Sequence, residues 1–259
     1  MDTEHFSAPH EKPSEETLLD KYNFYFEAVL ALTAEHIQEA QRIRYQVYCI
    51  ENDFEDANAH PDGLEKDDFD SHSVHSLLIH RASGQTMGTT RLILPVIDAL
   101  ETSFAIQEVC DHPMLKRLSL HRMAEVSRFS ISKQFRRRKN DTQYEGLDKS
   151  GGQRSAAPLM SLGLIQSLVR MSEENNITHW CATMEPKLLR LLSAMGIHFE
   201  PLGSLVLYHG MRQPCYCEVA PMLDRVKSEQ RPLWEVLTDS GRLVAAVPGS
   251  TVFAPVNSH

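Results

Sequence analysis

Apolar positions along the chain fall into blocks whose spacing alternates between extended and helical periods. Residues 24–32, which include Phe24, Phe26, Val29 and Leu30, read as a first strand, with a helix as the alternative. Thr33 can cap a helix running to about residue 50. Glu35 sits in its first turn, and Ile37, Ala40, Ile43 and Val47 return to one side. Residues 74–81 and 86–94 read as a hairpin, and 104–110 as a short helix. The pattern then predicts a central strand at 125–132, an amphipathic helix at 159–174 and a strand at 178–184. Pro186 opens a further helix that ends before Gly196. A strand region at 199–208 and two short helical patterns at 222–229 and 233–238 complete the order.

Polar stretches divide these blocks. Residues 1–22 read as a flexible tail, and the Gly-rich stretch 140–158 as a mobile loop. The main domain is therefore expected at 23–216, with a helical extension and tail at 217–259. Strands mixed with helices predict an α/β (α+β) architecture, a mixed central sheet flanked by helices.

Composition narrows the function classes. With 42% apolar and 24% charged residues over 259 positions, the chain can bury a sizeable core. A net charge of −9 argues against a nucleic-acid partner. There is no run of 18 apolar residues and no basic-then-apolar start. With an odd count of five cysteines, these features predict a cytoplasmic protein. The charge is uneven. Nine acids and one base lie between Glu51 and Asp70, a net −8. Lys133, Arg136, Arg137, Arg138 and Lys139 form an opposing basic turn directly after the central strand.

Five short pieces carry candidate chemistry: Arg44-Tyr-Gln-Val-Tyr48, Glu65-Lys-Asp67-Asp-Phe-Asp70, Gly88-Thr-Thr-Arg91, Glu125-Val-Ser-Arg128-Phe129 and the basic turn. Their order and spacing resemble the acyl-homoserine-lactone (autoinducer) synthases and the related N-acyl amino acid synthases. Where that pattern has a Trp after the first helix, Phe54 lies nearest here. Ala124-Glu-Val-Ser-Arg-Phe129, Met184-Glu-Pro186 and Tyr208-His-Gly-Met-Arg212 are closer to the acyltransferases associated with PEP-CTERM/exosortase systems.

The resemblance implies a GNAT-like fold and transfer of a long acyl chain from acyl carrier protein to an amino acid. The donor would be an acyl-phosphopantetheine, on carrier protein or CoA, with no permanently bound cofactor and no metal. A lipid product would give the one membrane link, a peripheral contact. Glu125, Arg128 and Arg91 are the expected catalytic residues. Arg44, Tyr48, Phe54, Glu65, Asp67, Asp70 and Phe129 are the expected substrate-binding residues. Lys133, Arg136, Arg137, Arg138 and Lys139 would bind the carrier or its phosphopantetheine.

Each assignment has a plainer rival. The basic turn either steers an acidic carrier or is a solvated loop. Glu125 is either a general base or half of a buried ion pair. It lies three residues from Arg128, so the two share a face of the strand only across a bulge. Asp67 and Asp70 either shape an acceptor site, where an Arg could fork an amino acid carboxylate, or hold the fold together. Tyr208, His209 and Arg212 are placed loosely near the acyl or acceptor cleft. The rival activities are a lactone synthase using S-adenosylmethionine, a non-catalytic acyl-carrier or lipid-binding module, and an acetyl-CoA enzyme. The last would expect an Arg-x-x-Gly-x-Gly/Ala loop, where this chain has Lys139 and Asn140 after its arginines.

Overall fold

Thr17 and Asp20 cap each other. The Thr17 hydroxyl accepts from the Asp20 N–H, and the Asp20 carboxylate accepts from the Thr17 N–H, each at 3.1 Å. A helix therefore starts inside the stretch expected to be tail. In the computed structural model, which describes residues 16–117, 120–136 and 157–244, α1 spans Leu18–Tyr25 and buries Tyr22. The first strand, β1, is shortened to Phe26–Leu30. The expected domain start at 23 thus moves back to the capped helix.

The following elements are α2 (Ala34–Tyr45), β2 (Ser73–His80), β3 (Gln85–Ile93), α3 (Ile106–Val109), α4 (Pro113–Arg117) and β4 (Met123–Ile131). Then come α5 (Lys133–Arg136), α6 (Ala157–Glu174), β5 (His179–Met184) and α7 (Pro186–Ala194). The chain continues through β6 (Glu200–Pro201), β7 (Val206–Leu207), β8 (Met211–Glu218), α8 (Val219–Glu229) and α9 (Arg231–Thr238). The eight strands form a mixed sheet in the order β1-β2-β3-β4-β5-β8-β6, with β7 also on β8. All pairings are antiparallel except β4 with β5.

Helix α6 packs across β1 to β4 and against α9. Its Met160, Leu164, Ile165 and Leu168 share a core with Leu78, Leu92, Val126 and Trp180. Helix α2 packs across β2, β3 and β4 and carries Arg44 into the protein. The expected boundary at 216/217 does not separate two units. It falls inside β8, and Met222, Leu223, Trp234 and Leu237 of the helices beyond it belong to the main core. The expected strand at 199–208 is instead two two-residue strands around Gly203, whose φ is +103°. Residues 140–156 of the expected loop lie outside the described residues.

Two features of β4 position the site. Against β3, Arg91 pairs with Ser127 and Thr89 with Ser130, so two residues of β4 oppose one of β3. This bulge includes Arg128, whose φ is +50°. Against β5, the parallel ladder runs only from Met123 to Glu125 and ends at the Glu125–Cys181 rung.

Just beyond the bulge, Gly88 lies against β4. A Cβ there would sit 2.5 Å from the Ser130 backbone oxygen, which no side-chain motion relieves. Gly88→Ala is expected to destabilise the protein by about 1–3 kcal/mol. A shift in the urea midpoint checks this.

Candidate active site

Local structure gathers the charged pieces before tertiary contact does. The 3₁₀ turn Asp68–His72 puts Asp67 and Asp70 together, with the Asp67 N–H donating to the Asp70 carboxylate at 3.2 Å. After Tyr45, α2 widens into a π-helical turn, Gln46–Glu51, that carries Tyr48 on from Arg44. The helix expected to reach residue 50 thus changes type at 46.

Across the sheet, three arginines meet three carboxylates. Arg44 donates to Glu65, and to Asp70 at 2.6 Å. Arg91 donates to Asp67 at 2.5 and 2.9 Å, to Asp70 at 2.6 Å and to the Ser127 hydroxyl at 3.1 Å. Arg128 donates to Glu65 at 2.8 Å and to Asp67 at 2.9 Å. The bulge makes this possible, because it turns Arg128 toward the face that carries Arg91 and Ser127. Arg44 is fully buried, and Glu65 and Arg91 are each 1% exposed. Burial alone would push Glu65 up, but Arg128 and Arg44 hold it down at about 2. Asp70 is likewise held well below the carboxylate range by Arg44 and Arg91 despite burial. His75, buried beside Asp70, is pushed down to about 4 by burial and by Arg44. Each of these three arginines thus contacts at least two carboxylates of the protein.

Glu125 stands apart from this network. It is 3% exposed, and its Oε2 accepts from the Ile106 N–H at 2.9 Å. Burial pushes its carboxyl up to about 7, against the pull of that N–H and of the Arg91 and Arg128 charges. Tyr208 is raised to about 12, first by burial and then by the Glu125 charge.

An aromatic wall adjoins the network. The Arg128 guanidinium lies 4.8 Å from the Tyr48 ring centre, and Tyr48 meets Phe54 edge-on at 5.9 Å. Arg212 lies 4.9 Å from the Phe54 ring centre. His209, at φ +49°, brings Nδ1 to 3.3 Å from the Phe54 carbonyl and Nε2 to 3.6 Å from Glu55. Arg212, placed only loosely by sequence, pairs with Glu185 at 2.8 Å. The motif pieces 184–186 and 208–212 therefore meet at this bridge. Burial lowers the Arg212 guanidinium below the usual arginine range.

Some expected residues lie elsewhere. Phe129 packs against the main core. Lys133 is tied to Glu51, which the sequence marks only as the start of the acidic block. The Glu51 carboxylate accepts from the Lys133 N–H at 2.9 and 3.0 Å and from the Ser132 hydroxyl at 2.6 Å, while the Lys133 ammonium donates to the Glu51 carbonyl. The Arg136 side chain and Arg137, Arg138 and Lys139 lie outside the described residues. Among the described residues, no group of three His, Cys, Asp or Glu is placed to hold a metal ion. No described helix is long and apolar enough to cross a membrane.

The fold and the ion network now stand beside known proteins. A model of the acetyltransferase (GNAT) domain matches residues 43–144, the stretch that contains the whole arginine–carboxylate network. BjaI, a CoA-dependent acyl-homoserine lactone synthase solved with SAM and isopentyl-CoA, aligns at 19% identity and a TM-score of 0.54. The alignment covers 85% of this chain and 89% of that one. TofI, solved in a ternary complex with an inhibitor and MTA, aligns at 17% identity and a TM-score of 0.54, over 78% and 96%. FeeM, an N-acyl amino acid synthase from uncultured soil microbes, aligns at 16% and 0.50, over 77% and 93%. At these identities the likeness is one of fold, and the fold is that of the GNAT acyltransferases. No curated protein matches the chain in sequence.

Two outcomes are expected. The depressed Glu65 carboxyl contributes stability that is fully present above its ordinary 4.5 and is lost as pH falls toward about 2. Glu65→Gln leaves Arg44 and Arg128 undercompensated, and should cost about 3–5 kcal/mol at neutral pH by urea unfolding. Glu125 has the opposite sign. Its raised pKa contributes stability that is fully present below 4.5 and is lost as pH rises through about 7. Glu125→Gln should therefore gain on wild type in melting temperature between pH 5 and pH 8. An unchanged gap would contradict the buried, raised carboxyl.

Proposed function

We propose that the chain is an N-acyltransferase that moves a long fatty acyl group from acyl carrier protein to the α-amino group of an amino acid. One observation carries this reading. A buried carboxyl raised to about 7 sits at the last rung of the β4–β5 ladder, next to the arginine–carboxylate network. A general base is most effective near the operating pH, and Glu125 is the site carboxylate so tuned. It takes a proton from the substrate ammonium, directly or through a water. The amine nitrogen then bonds to the thioester carbonyl carbon. The carbon–sulfur bond breaks, and the carrier thiolate leaves and takes up a proton.

The network's part in this reading is positional. It holds Tyr48, the 65–72 segment and Arg128 in place without binding substrate. The acyl-carrier donor rests on the resemblance in sequence and on the basic turn that follows β4. The amino acid acceptor rests on the resemblance of three motif pieces to the PEP-CTERM/exosortase-associated acyltransferases, two of which meet at Arg212 and Glu185. A cytoplasmic setting, where acyl carrier protein is found, belongs to the same reading.

The test is incubation of the full chain with fatty-acyl carrier protein and each of the standard amino acids, read by mass spectrometry. An N-acyl amino acid and free carrier thiol are expected. Release of lactone and methylthioadenosine from S-adenosylmethionine would replace this reading with the synthase one. Carrier binding without turnover would replace it with a binding module. Glu125→Gln should lower kcat/KM by about a hundredfold or more. The wild-type kcat/KM should rise with pH through about 7 as Glu125 deprotonates, and the variant should lose that rise.

A further inference from the structure

Arg212 differs from the other three arginines of this region in what satisfies it. Arg44, Arg91 and Arg128 each contact at least two carboxylates of the network. Arg212 is 8% exposed, yet its one carboxylate partner among the described residues is Glu185, reached by a single nitrogen. The Glu185 side chain is 45% exposed, so water screens much of its charge. A buried guanidinium with one screened partner is undercompensated and favours a further anion. Its place is also defined. It lies over Phe54, on the wall that runs through Tyr48 to Arg128. A guanidinium seated on a ring face keeps its N–H edge for a planar, two-oxygen partner.

We propose that Arg212 binds the α-carboxylate of the acceptor, with Glu185 as the internal carboxylate that holds the guanidinium until the substrate engages it. This rests on the acyl-transfer reading above and narrows it. The acceptor is an amino acid recognised by its carboxylate, and a plain amine is a poor substitute. Arg212 is then a specificity-determining residue on β8, on the far side of the aromatic wall from the ion network.

The experiment compares two acceptors: an amino acid that wild type acylates, and the primary amine left when its carboxylate is removed. Wild type should prefer the amino acid. In Arg212→Met the preference should fall by about tenfold or more, the scale of a lost charge-assisted hydrogen bond. The loss should lie mainly in KM for the amino acid, with activity toward the amine falling far less. An unchanged preference would overturn the proposal.

Glu185→Gln provides a second arm should Arg212→Met fail to fold. It releases the guanidinium and should lower KM for the amino acid while leaving KM for the amine alone. No change there also counts against the proposal. Equilibrium binding of radiolabelled amino acid separates this idea from the catalytic reading. Binding by wild type that Arg212→Met abolishes, with no amide formed, keeps the carboxylate site and removes the acyl transfer. Amide formed by wild type, with binding and preference that Arg212→Met leaves unchanged, keeps the acyl transfer and removes the carboxylate site.

Discussion

Three guanidiniums and three carboxylates, with Arg44, Arg91, Arg128 and Glu65 buried and Asp67 and Asp70 partly so, are the constraint on which the rest of this structure depends. Each ion alone would carry a desolvation cost of several kcal/mol, and together they reach neutrality. Neutrality requires that α2, the 65–72 segment, β3 and β4 meet in one arrangement. The β4 bulge is part of that solution. A regular strand would point Arg128 away from the face that carries Glu125, and the positive φ at Arg128 is the local strain accepted to bring it back. A mixed sheet with a fixed bulge follows from the pairing of charges as much as from the apolar core.

The same neighbourhood produces two opposite kinds of carboxyl. Glu65 and Asp70 sit in direct hydrogen bonds from guanidiniums and stay ionised. Glu125 is buried like Glu65, but backbone N–H groups of Ile106 and Ala105 stand where Glu65 has guanidiniums, so burial dominates. Position decides this difference. Glu125 lies where the ladder to β5 stops, with Cys181 across the rung and Ile93, Phe104 and Ile106 in the adjoining core.

Much of the site was legible in the sequence as a set of residues and little of it as a set of pairs. The spacing of Arg44 and Tyr48, and of Glu65, Asp67 and Asp70, shows because helices and tight turns place near neighbours on one side. The Arg128–Glu65 contact spans 63 positions and depends on a bulge that no local residue marks. The Glu51–Lys133 contact spans 82. The hairpin, α6, β5 and α7 follow their apolar period closely. The chief omission is β8, which pairs β5 along its length. Pro214 within it hides the strand signal, because proline cannot donate to a ladder. The capped helix α1 was hidden by its setting in a polar stretch.

The order of the charged residues along the chain also bears on how the protein folds. Arg44, Glu65, Asp67, Asp70 and Arg91 all precede β4, and without Arg128 they leave three carboxylates facing two guanidiniums. A nascent chain that has released α2, β2 and β3 therefore holds a frustrated nucleus with one unmatched negative charge in the region that must become dry. Arrival of β4 supplies the missing cation and the partner strand in one event. Docking of β4 thus joins the formation of the sheet to that of the charge cluster. The N-terminal half therefore lacks the third cation of its charge cluster until residue 128 is in place.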